Sequence, residues 1–176
     1  FADDVFNKNP IYADCLYLPQ GEAAVPTING LLIIRRGWLE RRSLNSILPP
    51  GVLLHCTFNQ MGEQRYLGSD HIIYTQHGMN TGIAQEFKRI GIREVFINQV
   101  LPLNATDLVL VTTQDIYLFD GIRVIPMSGR MKGVDFKNWL FATLVGQQQI
   151  LLIGQSKLGL LNIVKNSLDE FEYVRG

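Results

Sequence analysis

The chain has 176 residues, 47% of them hydrophobic, and its formal charge at pH 7 is zero because 16 basic residues balance 16 acidic ones. This composition excludes an intrinsically disordered chain and a nucleic-acid-binding protein that relies on a strong positive charge. No apolar run approaches the roughly 20 residues that a membrane-spanning helix needs, so this segment is not expected to insert into a membrane.

Taken in chain order, the sequence predicts a succession of short β-strands. Each predicted strand is rich in Val, Ile, Leu, Phe and Tyr and is bounded by Gly, Asn, Asp, Ser or Pro. The predicted strands are 31–34, 52–58, 65–67, 72–76, 93–100, 108–112, 116–119, 139–145, 149–153, 158–164 and 171–174. One helix of about three turns is predicted over 81–90, with Thr81 as its cap. The chain is therefore predicted to be all-β.

A repeated hairpin organises these strands. Each copy is an apolar run, a short polar turn and a second run, and the copies lie near 31–39, 65–76, 108–120 and 149–164. Their anchors, Ile34, Gly68, Thr112 and Gly154, are 34, 44 and 42 residues apart. A further apolar run precedes each of the last three hairpins. Four antiparallel strands in about 42 residues are the content of one β-propeller blade. We therefore predict about four blades in a single segment over 1–176.

The two best copies carry a nameable motif. One reads ILLIGQ followed by LGLL, over 150–161, and the other reads LVLVTT followed by IYLFDG, over 108–121. The motif resembles the two-component regulator propeller repeat, which is known from the sensor portions of large bacterial hybrid sensor kinases. The resemblance implies a non-catalytic sensing segment in the periplasmic or extracellular part of a membrane-anchored parent. Such a segment would bind a ligand and pass the signal to a downstream kinase region.

The turns of the four hairpins predict a binding surface, because equivalent loops of successive blades lie on one face of a propeller. Their mixed donors and acceptors suit a polar ligand such as an oligosaccharide. An exposed Trp beside arginines, as at the first turn, can stack on a sugar or contact a protein partner, and packing within the blade is the alternative interpretation of Trp38. Ordinary solvated turns are the alternative interpretation. The predicted ligand-binding residues are Arg35, Arg36, Trp38, Asp70, His71, Gln114, Asp115, Ser156 and Lys157.

The sequence contains no motif for catalysis, a metal or a cofactor. His71 and His77 are six residues apart with a predicted turn between them, which does not place two metal ligands together. The adjacent acids Asp169 and Glu170 point to opposite faces of a strand, so they cannot form a catalytic pair. We therefore predict no enzyme activity, no metal and no cofactor. A protein-interaction scaffold is the main alternative function, and a propeller-fold hydrolase with groups converging from different blades is a weaker one.

Two further expectations concern cysteines and association. Cys15 and Cys56 are too few for a disulfide scaffold, and each is predicted to be a small buried side chain, with their pairing left open. The blades are predicted to form an arc of a larger ring, or a set that closes with partner copies. Exposed strand edges at the ends of such an arc favour association into a homo-oligomer.

Overall fold

A computed structural model of the chain describes residues 16–18, 22–27, 30–35, 38–78, 81–146 and 148–172. These residues form four four-stranded antiparallel sheets, each made of strands that are consecutive in the chain. The first sheet contains β1 (Leu16–Leu18), β2 (Glu22–Thr27), β3 (Gly30–Arg35) and β4 (Trp38–Arg42). The second contains β5 (Leu54–Gln60), β6 (Glu63–Gly68), β7 (Ile72–Thr75) and β8 (Thr81–Gly82). The predicted all-β fold is therefore confirmed.

The third and fourth sheets follow the same plan. The third contains β9 (Ile97–Pro102), β10 (Leu108–Thr112), β11 (Ile116–Phe119) and β12 (Val124–Pro126). The fourth contains β13 (Trp139–Leu144), β14 (Gln149–Gly154), β15 (Lys157–Asn162) and β16 (Ser167–Glu172). Four consecutive antiparallel strands per sheet are the structure of a propeller blade, as the repeat pattern predicted.

The described residues include two short helices between the sheets, α1 (Ala84–Arg89) and α2 (Met127–Arg130). The helix predicted over 81–90 is thus shorter than expected. Thr81 does not cap it, because Thr81 pairs with Ile73 and belongs to the fourth strand of the second sheet. Phe87 of α1 is buried and packs edge-on against Tyr117, with ring centroids 5.1 Å apart.

The strands follow from the spacing of their apolar residues. β5 alternates buried and half-buried positions along its whole length, which is the period-two pattern of a strand with one face in the core. β10 and β11 are buried at every position, because both faces of their sheet are covered. Cys56 lies at a buried position of β5, as predicted, whereas Cys15 lies outside the described residues.

The first strands of three sheets share an irregularity that the sequence patterns did not predict. The pairing register shifts between Leu54 and Cys56 in β5, and between Trp139 and Phe141 in β13. In the third sheet, Thr112 pairs with Ile97 and Val111 pairs with Gln99. In each of the three cases, the first strand therefore contains one residue that has no partner on the second strand. Such an extra residue is a β-bulge, which bends a strand and increases its twist. Its recurrence at one position marks these sheets as copies of one unit.

The chain divides into two compact units, residues Phe1–Ala84 and Gln85–Gly176, each of which contains two sheets. In the first unit, Leu31 and Ile33 of the first sheet pack with Leu54, Tyr66 and Tyr74 of the second. In the second unit, buried residues of the third sheet pack with buried residues of the fourth, and these are Val109, Val111, Ile116, Leu118, Trp139, Ala142, Ile150, Leu152 and Leu161. Each unit therefore has a core formed between two successive sheets.

The first repeat differs from its prediction. The hairpin near 31–39 exists, but it joins β3 to β4, the third and fourth strands of its sheet. The other three hairpins join second and third strands, namely β6 to β7, β10 to β11, and β14 to β15. The true counterpart in the first sheet is the β2–β3 hairpin, so its anchor is Thr27 and not Ile34. The anchors are then 41, 44 and 42 residues apart, which is a more regular period.

Candidate binding surfaces at the strand turns

The central turns of the first and third sheets have one stabilising hydrogen bond in common. The Thr27 hydroxyl donates to the Gly30 carbonyl (3.1 Å), and the Thr112 hydroxyl donates to the Asp115 carbonyl (2.8 Å). Both threonines are buried and end the second strand of their sheet. A glycine takes the same position in the other two sheets, Gly68 and Gly154. The turns at 27–30, 68–72, 112–115 and 154–157 are therefore equivalent.

Arg35 and Trp38 do not belong to this set of turns, which corrects the prediction that they face the same way as Asp70 and His71. They pair with each other at the far end of β3, about 17 Å along the strand from Gly30. Gly30 itself lines a cleft with residues 48–54, and Leu53 exchanges hydrogen bonds with Ser69. The turn at 69–71 thus lies at the Gly30 end of the first unit. The predicted residue Arg36 lies outside the described residues.

Asp70 and His71 form the central turn of the second sheet. The Asp70 carboxylate accepts hydrogen bonds from the Ile72 backbone N–H (3.1 Å) and the Tyr74 hydroxyl (2.5 Å). Burial, together with the hydrogen bond to Asp70 and its charge, raises the pKa of Tyr74 to about 12. His71 is half-buried and has a φ of 59°, a conformation that ordinary residues seldom adopt outside turns. Both residues therefore shape the turn itself.

Asp115 is buried and holds together the corner of the third sheet. Its carboxylate accepts hydrogen bonds from the Ile116 N–H (2.7 Å), from the Ser128 N–H (3.3 Å) and from the Ser128 hydroxyl. Burial raises the pKa of Asp115 above its ordinary value, although the hydrogen bonds from Ser128 and Ile116 oppose this effect. Burial, with a smaller contribution from the Asp115 charge, raises the pKa of Tyr117 to about 12. The structure therefore gives Asp115 an internal role.

The remaining predicted residues are more accessible. Gln114 is exposed, and its amide lies 3.4 Å from the Glu94 carbonyl. Ser156 is exposed at the tip of the β14–β15 turn. Lys157 is half-buried, because its ammonium pairs with Glu170 (2.9 Å) and lies 4.4 Å from the centre of the Trp139 ring. Gln114 and Ser156 are thus better placed than Asp115 or Lys157 to meet a ligand.

Two of the predicted corners share one edge of the second unit. The Asn138 N–H donates to the Thr113 carbonyl (3.3 Å), which places the chain before β13 against the β10–β11 turn. The next residue, Trp139, pairs with Gly154 at the start of the β14–β15 turn. The corners containing Gln114 and Ser156 therefore lie on the same side of these two sheets, as the predicted surface required of them.

The β3–β4 hairpin carries a different surface, which we call the Trp38 patch and which consists of Arg35, Trp38, Glu40 and Arg42. These residues share one face of the hairpin, because Trp38 pairs with Arg35 and the other two follow it at intervals of two. Glu40 lies 3.7 Å from Arg35 and 3.8 Å from Arg42. Trp38 exposes 77% of its surface. The patch thus offers a large exposed aromatic ring with Arg35 at the paired position and with Arg42 four residues further along β4 on the same face.

A cleft of about 460 Å³ lies in the first unit between the end of β4 and the start of β5. Its lining residues are Gly30, Ser43, Leu44, Asn45, Leu48, Pro49, Pro50, Gly51, Val52, Leu53 and Leu54. The size is that of a small-molecule site, but ligand sites also need a few convergent polar groups. Ser43 and Asn45 are the polar side chains here, and the Ser43 hydroxyl already accepts a hydrogen bond from the Asn45 N–H (3.3 Å). The cleft is therefore a weak site for a polar ligand.

Neither a cluster of metal-ligating side chains nor a membrane-spanning helix is present in the part of the chain that the structure describes. Among residues 16–18, 22–27, 30–35, 38–78, 81–146 and 148–172, no three His, Cys, Asp or Glu side chains are arranged to hold a metal ion. Within the same part of the chain, no helix is long and apolar enough to cross a membrane.

Comparison with known proteins supports the fold alone. No protein-family model matches the sequence, and no curated protein matches it. A solved structure of "YCF48 bound to D1 peptide" is similar with a TM-score of 0.59 and 12% identity, over 81% of this chain and 47% of that one. A structure of "HIRA(644-1017)" aligns with a TM-score of 0.43 and 8% identity, over 92% of this chain and 55% of that one. This chain thus spans about half the length of these structures.

The class of protein follows from these observations together. Four antiparallel blade-type sheets and the likeness to YCF48 define an all-β protein built of propeller blades. No family model matches the chain, so the resemblance to the two-component regulator repeat stays a prediction.

Proposed function

We propose that this chain is a non-catalytic propeller segment that binds a protein or peptide partner through the Trp38 patch. The observation that carries the proposal is the exposure of Trp38, which presents 77% of its surface between charged neighbours. Trp and Arg are the residues most enriched among those that dominate protein–protein binding energy. A large aromatic ring on a strand hairpin is also held more rigidly than one on a long loop.

The energetics of the patch favour binding over a purely structural role. An indole side chain offers about 150–250 Å² for burial, so covering the exposed part of Trp38 would contribute about 3–5 kcal/mol before the entropic cost of association. The ion pairs of Glu40 with Arg35 and Arg42 are exposed, and such pairs add little to the stability of the fold. They do keep the two guanidinium groups on the face of the hairpin that carries Trp38, where a carboxylate or carbonyl of a partner can meet them.

The comparison adds support by analogy of fold. The solved structure of YCF48 contains a bound peptide, so one protein with this fold binds a peptide. Fold does not determine function, and the argument for this chain therefore rests on the patch itself.

A peptide library displayed on phage would test the proposal. Peptides selected on the intact chain should bind Trp38→Ala at least tenfold more weakly, with Arg35→Ala intermediate. Met61→Ala is the matched control, because Met61 is a large apolar residue of the same unit with 76% exposure. Selected peptides that bind the Trp38→Ala protein as well as the wild type would contradict the proposal, as would an equal loss with Met61→Ala.

A second candidate is a polar ligand, such as an oligosaccharide, at the edge that carries Gln114 and Ser156. The observation that favours it is that the turns carrying Gln114 and Ser156 lie on the same side of the two sheets. The hydrogen bond from the Asn138 N–H to the Thr113 carbonyl holds them there. This candidate corresponds to a sensing segment in the periplasmic or extracellular part of a two-component sensor. A panel of oligosaccharides should then bind the wild type but not the Gln114→Ala and Ser156→Ala proteins. Gln148→Ala, which changes an exposed residue at the other end of β14, is the control.

A further inference from the structure

One face of the fourth sheet exposes a continuous apolar surface, which we call the Phe141 face and which consists of Phe141, Leu151, Ile153, Leu158, Leu160 and Phe171. Four of these residues form a row across all four strands, because Phe141 pairs with Ile153, Ile153 with Leu158, and Leu158 with Phe171. Leu151 and Leu160 pair in the next row on the same face. Phe141 and Phe171 at the two ends are 42% and 53% exposed, and the four residues between them are half-buried.

In the third sheet, the face that corresponds to the Phe141 face is covered by the following sheet. Positions 42 residues earlier are its structural equivalents, because Thr112 and Gly154 end the second strands of the two sheets. The equivalents of Leu151, Ile153, Leu158 and Leu160 are therefore Val109, Val111, Ile116 and Leu118, which are all buried. They lie in one hydrophobic cluster with Trp139 and Leu152 of the following sheet.

The opposite faces of the two sheets do not differ in this way. Leu108, Leu110 and Phe119 are buried in the third sheet, and their equivalents Ile150, Leu152 and Leu161 are buried in the fourth. The difference in exposure is thus confined to the Phe141 face. The apolar pattern of a packed face is retained there, but neither described sheet of the second unit covers it.

We propose that the Phe141 face is the packing surface for a further four-stranded antiparallel sheet that lies outside these 176 residues. In both units, the equivalent face receives the first strand of the next sheet: β5 contacts β1 and β2, and β13 contacts β9 and β10. Leu54 and Trp139 are the bulky apolar residues that open those strands and enter the cores. The sheet that fits the Phe141 face would therefore begin with a bulky apolar residue followed by a β-bulge.

A second copy of this chain fits the face less well. On the matching face of its first sheet, Val25 and Leu32 are only 6% and 1% exposed, so Ile34, at 38%, offers most of the exposed apolar surface that a second copy could use there. This chain also covers only 47% of the solved structure with the same fold, so that structure contains more chain than the matched region. Both observations favour a further blade over self-association.

The test extends the intact chain by one blade. A second copy of residues 127–172, which supplies its own first strand with the equivalent of Trp139, is appended after residue 176. We expect the amides of the original β14 and β15 to exchange hydrogen at least tenfold more slowly than in the unextended chain. Phe171→Glu in the original sheet should remove this gain, with Phe171→Ser as a second variant. Val164→Glu, at an exposed turn residue, should keep it.

Several results would overturn the inference. One is unchanged exchange in the extended chain, whether the appended sheet is folded or exchanges like an unfolded segment. Another is a gain that survives Phe171→Glu and Phe171→Ser. Sedimentation velocity on the unextended chain provides a third: a dimer that Phe171→Glu dissociates would assign the face to a second copy of the chain.

Discussion

At the scale of single residues, the acidic turn residues act first on their own turns. Asp70 and Asp115 each accept a hydrogen bond from the backbone N–H of the strand that follows, at Ile72 and Ile116. Polar turn residues can be found from the sequence, because Asp and Asn favour such local bonds. Their partners could not be found, because Ser128 reaches Asp115 only through the folding of α2 against the sheet. A polar turn therefore predicts a candidate site without telling whether its groups are already engaged.

Tyr66 and Tyr74 allow a test of how much the hydrogen bond to an acidic turn residue contributes to stability, because they are buried neighbours on paired strands. The Tyr74 hydroxyl donates to Asp70, whereas the Tyr66 hydroxyl has no hydrogen-bond partner among the described residues. Tyr74→Phe should lower the free energy of unfolding by about 1–3 kcal/mol, since it removes one of the hydrogen bonds to the half-buried Asp70 carboxylate. Tyr66→Phe should be neutral or slightly stabilising, because it removes an unsatisfied buried hydroxyl. Urea denaturation of both variants measures the difference, and equal losses would contradict this account.

Asp115 and Asp120 should have opposite effects on the pH dependence of stability. The pKa of Asp115 is raised by burial, so its contribution to stability is fully present below the ordinary Asp pKa of about 3.9 and declines as the pH rises through the folded value. The pKa of Asp120 is lowered by hydrogen bonds from the backbone of Arg123 and Ile122, so its contribution is present above about 3.9 and is lost as the pH falls.

The measurement is the urea midpoint of each variant against wild type from pH 3 to pH 7. The stability of Asp115→Asn relative to wild type should rise with pH, and that of Asp120→Asn should fall. Slopes of the same sign for the two variants would show that the environment of one carboxylate is misassigned.

At the scale of elements, the sequence predicted hairpins well where both strands are apolar and failed where one is not. The β6–β7, β10–β11 and β14–β15 hairpins lie where the repeat placed them. β2 was missed because its sequence, EAAVPT, has few β-branched residues and contains Pro26, which usually marks a loop or an edge. Because β2 was not predicted, the first anchor was placed at Ile34 and not at Thr27, where the β2–β3 hairpin puts it. Arg35, Arg36 and Trp38, at the turn of the outer hairpin, were then predicted to be part of the binding surface.

Gly159 illustrates how one element constrains another. It occupies the position of Tyr74 and Tyr117 in the second and third sheets, and a Cβ there would lie 2.8 Å from the Trp139 ring. Gly159→Ala should therefore lower the free energy of unfolding by about 1–3 kcal/mol through overpacking. Gly129→Ala is the control, since its Cβ would lie 3.5 Å from Pro126 and Ala is favoured in a helix.

A double-mutant cycle then tests the cause. Trp139→Leu introduces the residue type of Leu54 at the equivalent position and opens space above Gly159. Calorimetry should show that Gly159→Ala lowers the free energy of unfolding less in the Trp139→Leu background than in the wild type. Additive losses would mean that the clash with Trp139 is not the reason for glycine at this position.

At the scale of the whole molecule, the period of about 42 residues predicted the four sheets but not their division into two compact units of two sheets each. Each unit has its own core between two successive sheets, with Leu31 in the core of the first and Val111 in that of the second. A repeat pattern shows which residues are apolar, but it does not show which faces a neighbouring sheet covers. That is why the Phe141 face could not be distinguished from the buried face of the third sheet by sequence alone.

Because each unit has its own core, a substitution in one core is expected to destabilise that unit more than the other. Leu31→Ala removes a fully buried side chain from the first core and should lower the free energy of unfolding by about 2–5 kcal/mol. Val111→Ala removes a smaller buried side chain from the second core. We expect Leu31→Ala to lower amide hydrogen-exchange protection chiefly within 30–75, and Val111→Ala chiefly within 97–162, because local unfolding follows contiguous packed units. Mass spectrometry of peptic fragments resolves the two regions. A uniform decrease across the chain in both variants would mean that the two units unfold as one, and the two cores would then have to be treated as a single cooperative structure.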